Sequence, residues 1–187
     1  MPILKKETDL FPPDMFGSEF DAPWRVAHVR SRQEKRLARF LESHQQPFYL
    51  PLVARKTKRG GRTFTSYLPL FSGYVFLRDV GSIETAWRSN LIANMIDVPD
   101  QQQLQMELAQ IRSLQERGAV FATVSNLIPG DAVRIREGAF RDYVGTVIKE
   151  KGTTHLVVAV STLQKAVTVE FPREAVGRSS IHSRRRA

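Results

Sequence analysis

Residues 69–79, PLFSGYVFLRD, set Leu70, Phe71, Tyr74, Val75, Phe76 and Leu77 almost side by side, interrupted by Ser72 and Gly73. A half-buried strand alternates apolar and polar residues, because successive side chains point to opposite faces. This stretch is apolar on both faces. One face, with Leu70, Val75 and Leu77, must cover helices; the other carries Phe71, Tyr74 and Phe76. Two arrangements are open. Either the sheet is covered on both sides, or it keeps an exposed apolar-aromatic patch, which monomeric proteins rarely do without a partner. A bulge at Ser72-Gly73 would reverse the facing, so the pattern does not choose between them.

The flanking sequence sets the fold class. PWRVAHV, 23–29, reads as a first strand. Ser31, three residues before Glu34, predicts a capping box. Leu37, Phe40 and Leu41 then form one apolar helical face, while Arg32, Lys35, Arg36 and Arg39 mostly ring the exposed side. Residues 48–58 and 62–78 read as two strands joined at Gly60-Gly61, a long hairpin with a basic tip. Ser82 is placed to cap a short helix bearing Ile83, Ala86 and Trp87, and 92–98 is strand-like. Asp100 with Gln103 opens a last helix, striped by Leu104, Leu108, Ile111 and Leu114 and ended at Gly118. The order β-α-β-β-α-β-α predicts an α+β domain, an antiparallel sheet with packed helices.

Beyond it the pattern changes. From 131 to 176 no helical period appears. AVRIR, YVGTVIKE, HLVVAV and AVTVEF are short strand candidates punctuated by Gly138, Gly145 and Gly152, which predicts a small all-β barrel. The expected organisation is a disordered lead-in at 1–21, a first domain at 22–118, a linker at 119–128, a barrel at 129–176 and a basic tail at 177–187.

Charge and motifs narrow the function. Net charge is +9, concentrated in 30–62, with ten Lys/Arg against two Glu, and in the tail, with Arg178, Arg184, Arg185 and Arg186. Such a patch suits a phosphate backbone or an acidic protein face. There is no cysteine, so disulfides and thiolate metal sites are excluded. His28, His44, His155 and His182 sit at no metal-ligand spacing, and no nucleophile elbow, P-loop or dinucleotide fingerprint occurs. No enzyme activity, cofactor or metal is expected. No apolar run approaches the roughly 20 residues of a membrane span. The expectation is a cytoplasmic monomer.

GDAVRIREGAFRDYVGTVIKE resembles the KOW motif through Gly130, Asp131, Val133, Ile135, Gly138, Phe140, Gly145 and Val147. With WRVAHVRSRQEK upstream and PLFSGYVF between, the chain resembles the NusG family of transcription elongation and antitermination factors over 22–176. The resemblance implies an NGN-like domain followed by a KOW domain. It implies docking on the clamp helices of the RNA polymerase largest subunit, with Trp24, Phe71, Tyr74 and Phe76 as anchors and Glu84 and Thr85 facing the opposite cleft wall. Arg32, Lys35, Arg36 and Arg39, with Arg55, Lys56, Lys58, Arg59 and Arg62 of the hairpin, are the implied DNA or RNA contacts. The KOW loop at Leu163, Gln164 and Lys165 is placed to recruit a ribosomal protein or the termination factor Rho. The family usually carries proline at Ser72, and phenylalanine, glycine and arginine in that KOW loop, which suggests a specialised paralogue. The rival reading is an RNA-binding or ribosome-associated KOW protein.

Overall fold

The computed structural model describes residues 6–17, 21–119, 121–124, 132–134, 144–150, 153–163 and 165–171. Packing divides the chain into Met1–Gln105 and Met106–Ala187. The division falls inside the long helix rather than at the expected linker.

The first unit contains β1 (Leu10–Phe11), β2 (Trp24–Val29), α1 (Glu34–Ser43), β3 (Phe48–Tyr49), β4 (Leu52–Arg59), β5 (Arg62–Pro69), β6 (Tyr74–Arg78), α2 (Ile83–Arg88), β7 (Ile92–Ile96) and the start of α3 (Gln101–Glu116). Five strands form an antiparallel sheet in the order β1-β3-β6-β2-β7. β4 and β5 form a separate two-stranded ribbon.

The register fixes which side chains share a face. Ala27 faces Val75, and Phe48 faces Leu77. These pack with Leu37, Ala38 and Leu41 of α1 and Ala86 of α2. On the reverse face Trp24 pairs with Arg78, Val26 with Phe76, and Tyr49 with Phe76. Val26, Trp24, Tyr49 and Phe76 are also fully buried. The sheet is therefore covered on both sides, and that is why β6 is apolar on both.

Four expectations are corrected. The lead-in is not disordered over 6–17: β1 pairs with β3 as Leu10↔Tyr49 and Phe11↔Phe48, and Met15 is buried. The two long strands of the hairpin are interrupted. Pro51, which has no N–H to give a ladder, separates β3 from β4, and the turn at 70–73 separates β5 from β6. Gly73 supplies the φ of +86° that this turn needs, a conformation glycine adopts cheaply. The capping box does not form: Gln33 is the N-cap of α1 and makes no side-chain cap, and the Glu34 carboxylate accepts the Gly73 N–H at 2.7 Å instead. Ser82 is the N-cap of α2 but makes no side-chain cap either; its hydroxyl donates to Gln46 Oε1.

The caps of α3 are as expected. Asp100 Oδ1 accepts the Gln103 N–H at 2.9 Å. At the other end Gly118 N–H donates to Gln115 O and Ala119 N–H to Leu114 O, a Schellman arrangement made possible by φ +72° at Gly118.

The second unit holds the rest of α3, then β8 (Phe121–Val124), β9 (Ala132–Arg134), β10 (Val144–Glu150), β11 (Thr153–Val160), a 3-10 turn (Ser161–Leu163) and β12 (Lys165–Phe171). Its strands form an antiparallel sheet in the order β8-β12-β11-β10-β9. β8 lies within the expected linker and pairs with β12, so that segment is part of the sheet. Val157, Val158, Val160, Val167 and Val169 are buried. Glu107 of α3 accepts both the Ser161 N–H, at 3.0 Å, and its hydroxyl, at 2.6 Å. Among the residues that carry the KOW resemblance, Val133 is paired with Gly145 across β9 and β10, and Val147 follows on β10. Gly130, Asp131, Ile135, Gly138 and Phe140, and the basic tail, lie outside the described residues.

Candidate functional site

The reverse face of the sheet is an aromatic layer. The Phe71 and Phe76 rings meet edge-on with centroids 5.9 Å apart. Tyr49 lies 6.4 Å from Phe76, and Phe16 packs on both Tyr49, at 5.2 Å, and Trp24, at 5.7 Å. The Arg78 guanidinium stands over the Trp24 ring, 4.1 Å from its centroid, a cation–π contact. Burial pulls the Arg78 guanidinium down from its ordinary value, and the charge of Asp21 opposes that shift. An arginine starts so high that it remains charged.

Two glutamines of α3 lock this layer. Gln105 Oε1 accepts the Trp24 indole N–H at 2.7 Å and also a guanidinium N–H of Arg78. Gln101 accepts the Trp24 backbone N–H at 2.6 Å and donates to its carbonyl at 3.0 Å, so its amide acts as an extra rung on the strand. Sequence reading missed both, and Phe16 with them. A polar residue on a helix carries no signal of the strand it will meet.

The predicted anchors separate by burial. Trp24, Phe71 and Phe76 are buried, so the apolar patch is not exposed at these three positions. Tyr74 is half-buried, and its ring stacks at 5.2 Å on the imidazole of exposed His28. These two form the outward end of the aromatic face. Glu84 is exposed and Thr85 half-buried in the first turn of α2, whose Ala86 packs on the other face of the sheet. The structure therefore does not bring them together with the aromatic layer.

The basic residues form two groups. Arg36 and Arg39 of α1 are exposed and its Lys35 is half-buried, while Arg32, also exposed, precedes the helix in a turn with φ +59° rather than lying on it as expected. Arg39 is neutralised locally by Glu7 at 2.6 Å. On the ribbon, Arg55, Lys56, Lys58, Arg59 and Arg62 are all exposed. Among the described residues no ion pair joins any of these five. In the second unit, Leu163 is buried and Lys165 half-buried, while Gln164 lies outside the described residues. A buried Leu163 presents little surface to a partner. Among the described residues no cluster of His, Asp or Glu is placed to hold a metal ion, and no helix is long and apolar enough to cross a membrane.

The geometry defines an α+β domain whose sheet is layered on both faces, with a cationic ribbon extending from it. A model of the family described as transcription termination factor nusG matches residues 22–115, half of the chain. The chain belongs to the NusG family of transcription factors. Among solved structures, the crystal structure of the MjSpt4:Spt5 complex in conformation B contains a similar chain. Identity is 18% and the TM-score 0.25, covering 88% of this chain and 99% of that one. No curated protein matches.

Proposed function

We propose that this chain is a transcription elongation factor that docks on RNA polymerase through its first unit and promotes processive elongation and antitermination. The observation that carries this reading is the NusG-family match over residues 22–115, which include four of the five strands of the two-faced sheet. Docking uses the outward end of the aromatic face. Tyr74, stacked on His28, meets the clamp helices of the largest subunit, and Phe71, Phe76 and Trp24 form the buried aromatic layer of the same face. Bridging a cleft takes a second surface, and Glu84 and Thr85 offer one from the helical side of the sheet. Binding that prefers the closed clamp shifts its population without any chemical step. The protein acts as a monomer in the cytoplasm, without cofactor or catalysis.

In this reading residues 129–176 are a KOW domain that recruits a second partner, a ribosomal protein or Rho. Ser72 and the Leu163-Gln164-Lys165 loop mark the chain as a specialised paralogue. A second reading, an RNA-binding or ribosome-associated KOW protein, draws support from the five exposed cations of the ribbon.

The test is capture of core RNA polymerase by the full chain after nuclease treatment. The wild type is expected to retain polymerase. Tyr74→Ala, still folded by circular dichroism, is expected to lose it by about tenfold or more, as central aromatic anchors do. Retention that disappears with nuclease supports the second reading. Undiminished retention by Tyr74→Ala together with His28→Ala overturns docking at this face.

A further inference from the structure

The β4–β5 ribbon carries Arg55, Lys56, Lys58, Arg59 and Arg62 and no acidic residue. From residue 43 to residue 78 the sequence has no acidic residue. Its cations are sorted by face. Facing residues in an antiparallel pair share a face, and the register pairs Arg55 with Ser66, Thr57 with Phe64, and Arg59 with Arg62. These six lie on one face. Lys56 pairs with Thr65 and Lys58 with Thr63 on the other. All three arginines thus share a face with Phe64, and both lysines lie opposite.

Phe64 is 45% exposed, and Leu68 beyond it on the same face is 38% exposed. Among the described residues no aromatic ring contacts Phe64. Residues two apart along a strand are separated by about 7 Å, and diagonal neighbours across a ladder by about 7–8 Å. Arg62 stands two residues before Phe64, while Arg55 and Arg59 flank its partner Thr57 diagonally. An open phenyl ring therefore shares its face with three arginines at neighbouring ladder positions and with no carboxylate on the ribbon.

We propose that this face binds single-stranded nucleic acid, with an unpaired base stacked on Phe64 and the phosphates held by Arg55, Arg59 and Arg62. The inference rests on the reading of the basic hairpin as a nucleic-acid surface, and it names the form of nucleic acid taken. A base within a duplex has both faces covered by its neighbours, so a phenyl ring meets only edges there. A single strand offers a free π-face, and stacking of this kind is indifferent to sequence. Guanidinium groups add planar stacking and two-point phosphate contacts that ammonium groups lack, which explains why the arginines rather than the lysines accompany the ring. The lysine face contributes general attraction only.

The experiment is fluorescence anisotropy with the full chain and three probes of about 12 nucleotides or base pairs, within the usual range of site sizes: oligo-dT, oligo-U and a duplex. Titrations run at several salt concentrations. Tighter binding of the single strands than of the duplex is expected. Phe64→Ala is expected to weaken single-strand binding about tenfold, at the scale of one lost stack, leaving the salt slope unchanged. Phe64→Trp is expected to restore it. Arg55→Gln/Arg59→Gln/Arg62→Gln is expected to flatten the salt slope by about 2, and Lys56→Gln/Lys58→Gln to flatten it less. Unchanged single-strand binding by Phe64→Ala, or an equal loss on duplex, overturns the proposal. Absence of wild-type binding to every probe at low salt overturns both the proposal and the nucleic-acid reading of the hairpin. Polymerase capture by the same preparation remains an independent test of the docking reading.

Discussion

The carboxylate of Glu34, at the first position of α1, accepts the backbone N–H of Gly73 in the turn before β6 at 2.7 Å. The Gly73 carbonyl in turn accepts the Val29 N–H at 2.8 Å. One buried acid and one glycine thus join α1, β2 and the aromatic strand. Because Tyr74 follows Gly73 directly, this junction sets the direction in which Tyr74 leaves the turn.

Glu34→Ala removes a charge-assisted acceptor and strands a backbone donor that water reaches poorly. The expected loss is about 2 kcal/mol in urea unfolding, with Glu34→Gln recovering part of it because an oxygen acceptor remains. Equal stability of wild type and Glu34→Ala would show that the bond contributes nothing in solution.

Met15 is fully buried in a segment whose proline-rich sequence reads as a free lead-in. Met15→Ala is expected to destabilise the protein by about 2–5 kcal/mol, the range for emptying a packed methionine site. A free lead-in predicts a change within about 0.5 kcal/mol. Thermal or urea unfolding separates the two.

Gln105→Ala takes away the acceptor shared by the Trp24 indole and the Arg78 guanidinium. The expected cost is about 1–3 kcal/mol, since both donors sit where few other acceptors reach. Arg78→Met in the same background is expected to recover stability, because it withdraws one of the stranded donors. A further loss on adding Arg78→Met would show that the guanidinium matters chiefly through its contact with Trp24.

Glu107 and Ser161 are coupled across 54 residues of sequence by two hydrogen bonds. A double-mutant cycle with Glu107→Gln and Ser161→Ala is expected to give a coupling of about 1 kcal/mol or more, within the range for contacting polar pairs. Additive effects would mean that the two residues do not meet in solution.

Much of the architecture was legible in local pattern. The stripe Leu104, Leu108, Ile111 and Leu114 is buried throughout, and Asp100 and Gly118 cap that helix as their chemistry dictates. The alternation of Val75 and Leu77 against Tyr74 and Phe76 matches the two faces of the sheet. Where local rules failed, a longer-range partner had won. Glu34 left its expected cap for Gly73, and Ser82 left its own for Gln46, 36 residues away.

The sequence by itself determined the α+β class, the helices and strands with strong periodicity, and the concentration of positive charge between residues 30 and 62. Those follow from the order of residue types, because helix and strand periods and the absence of neutralising acids are local properties. Only the tertiary structure decided which aromatics are covered, that Leu10, Met15 and Phe16 belong to the fold, and that arginine and lysine occupy opposite faces of the ribbon with Phe64 among the arginines. Covering a ring requires a surface from elsewhere in the chain, and a one-residue change of register moves every side chain of a strand to its other face.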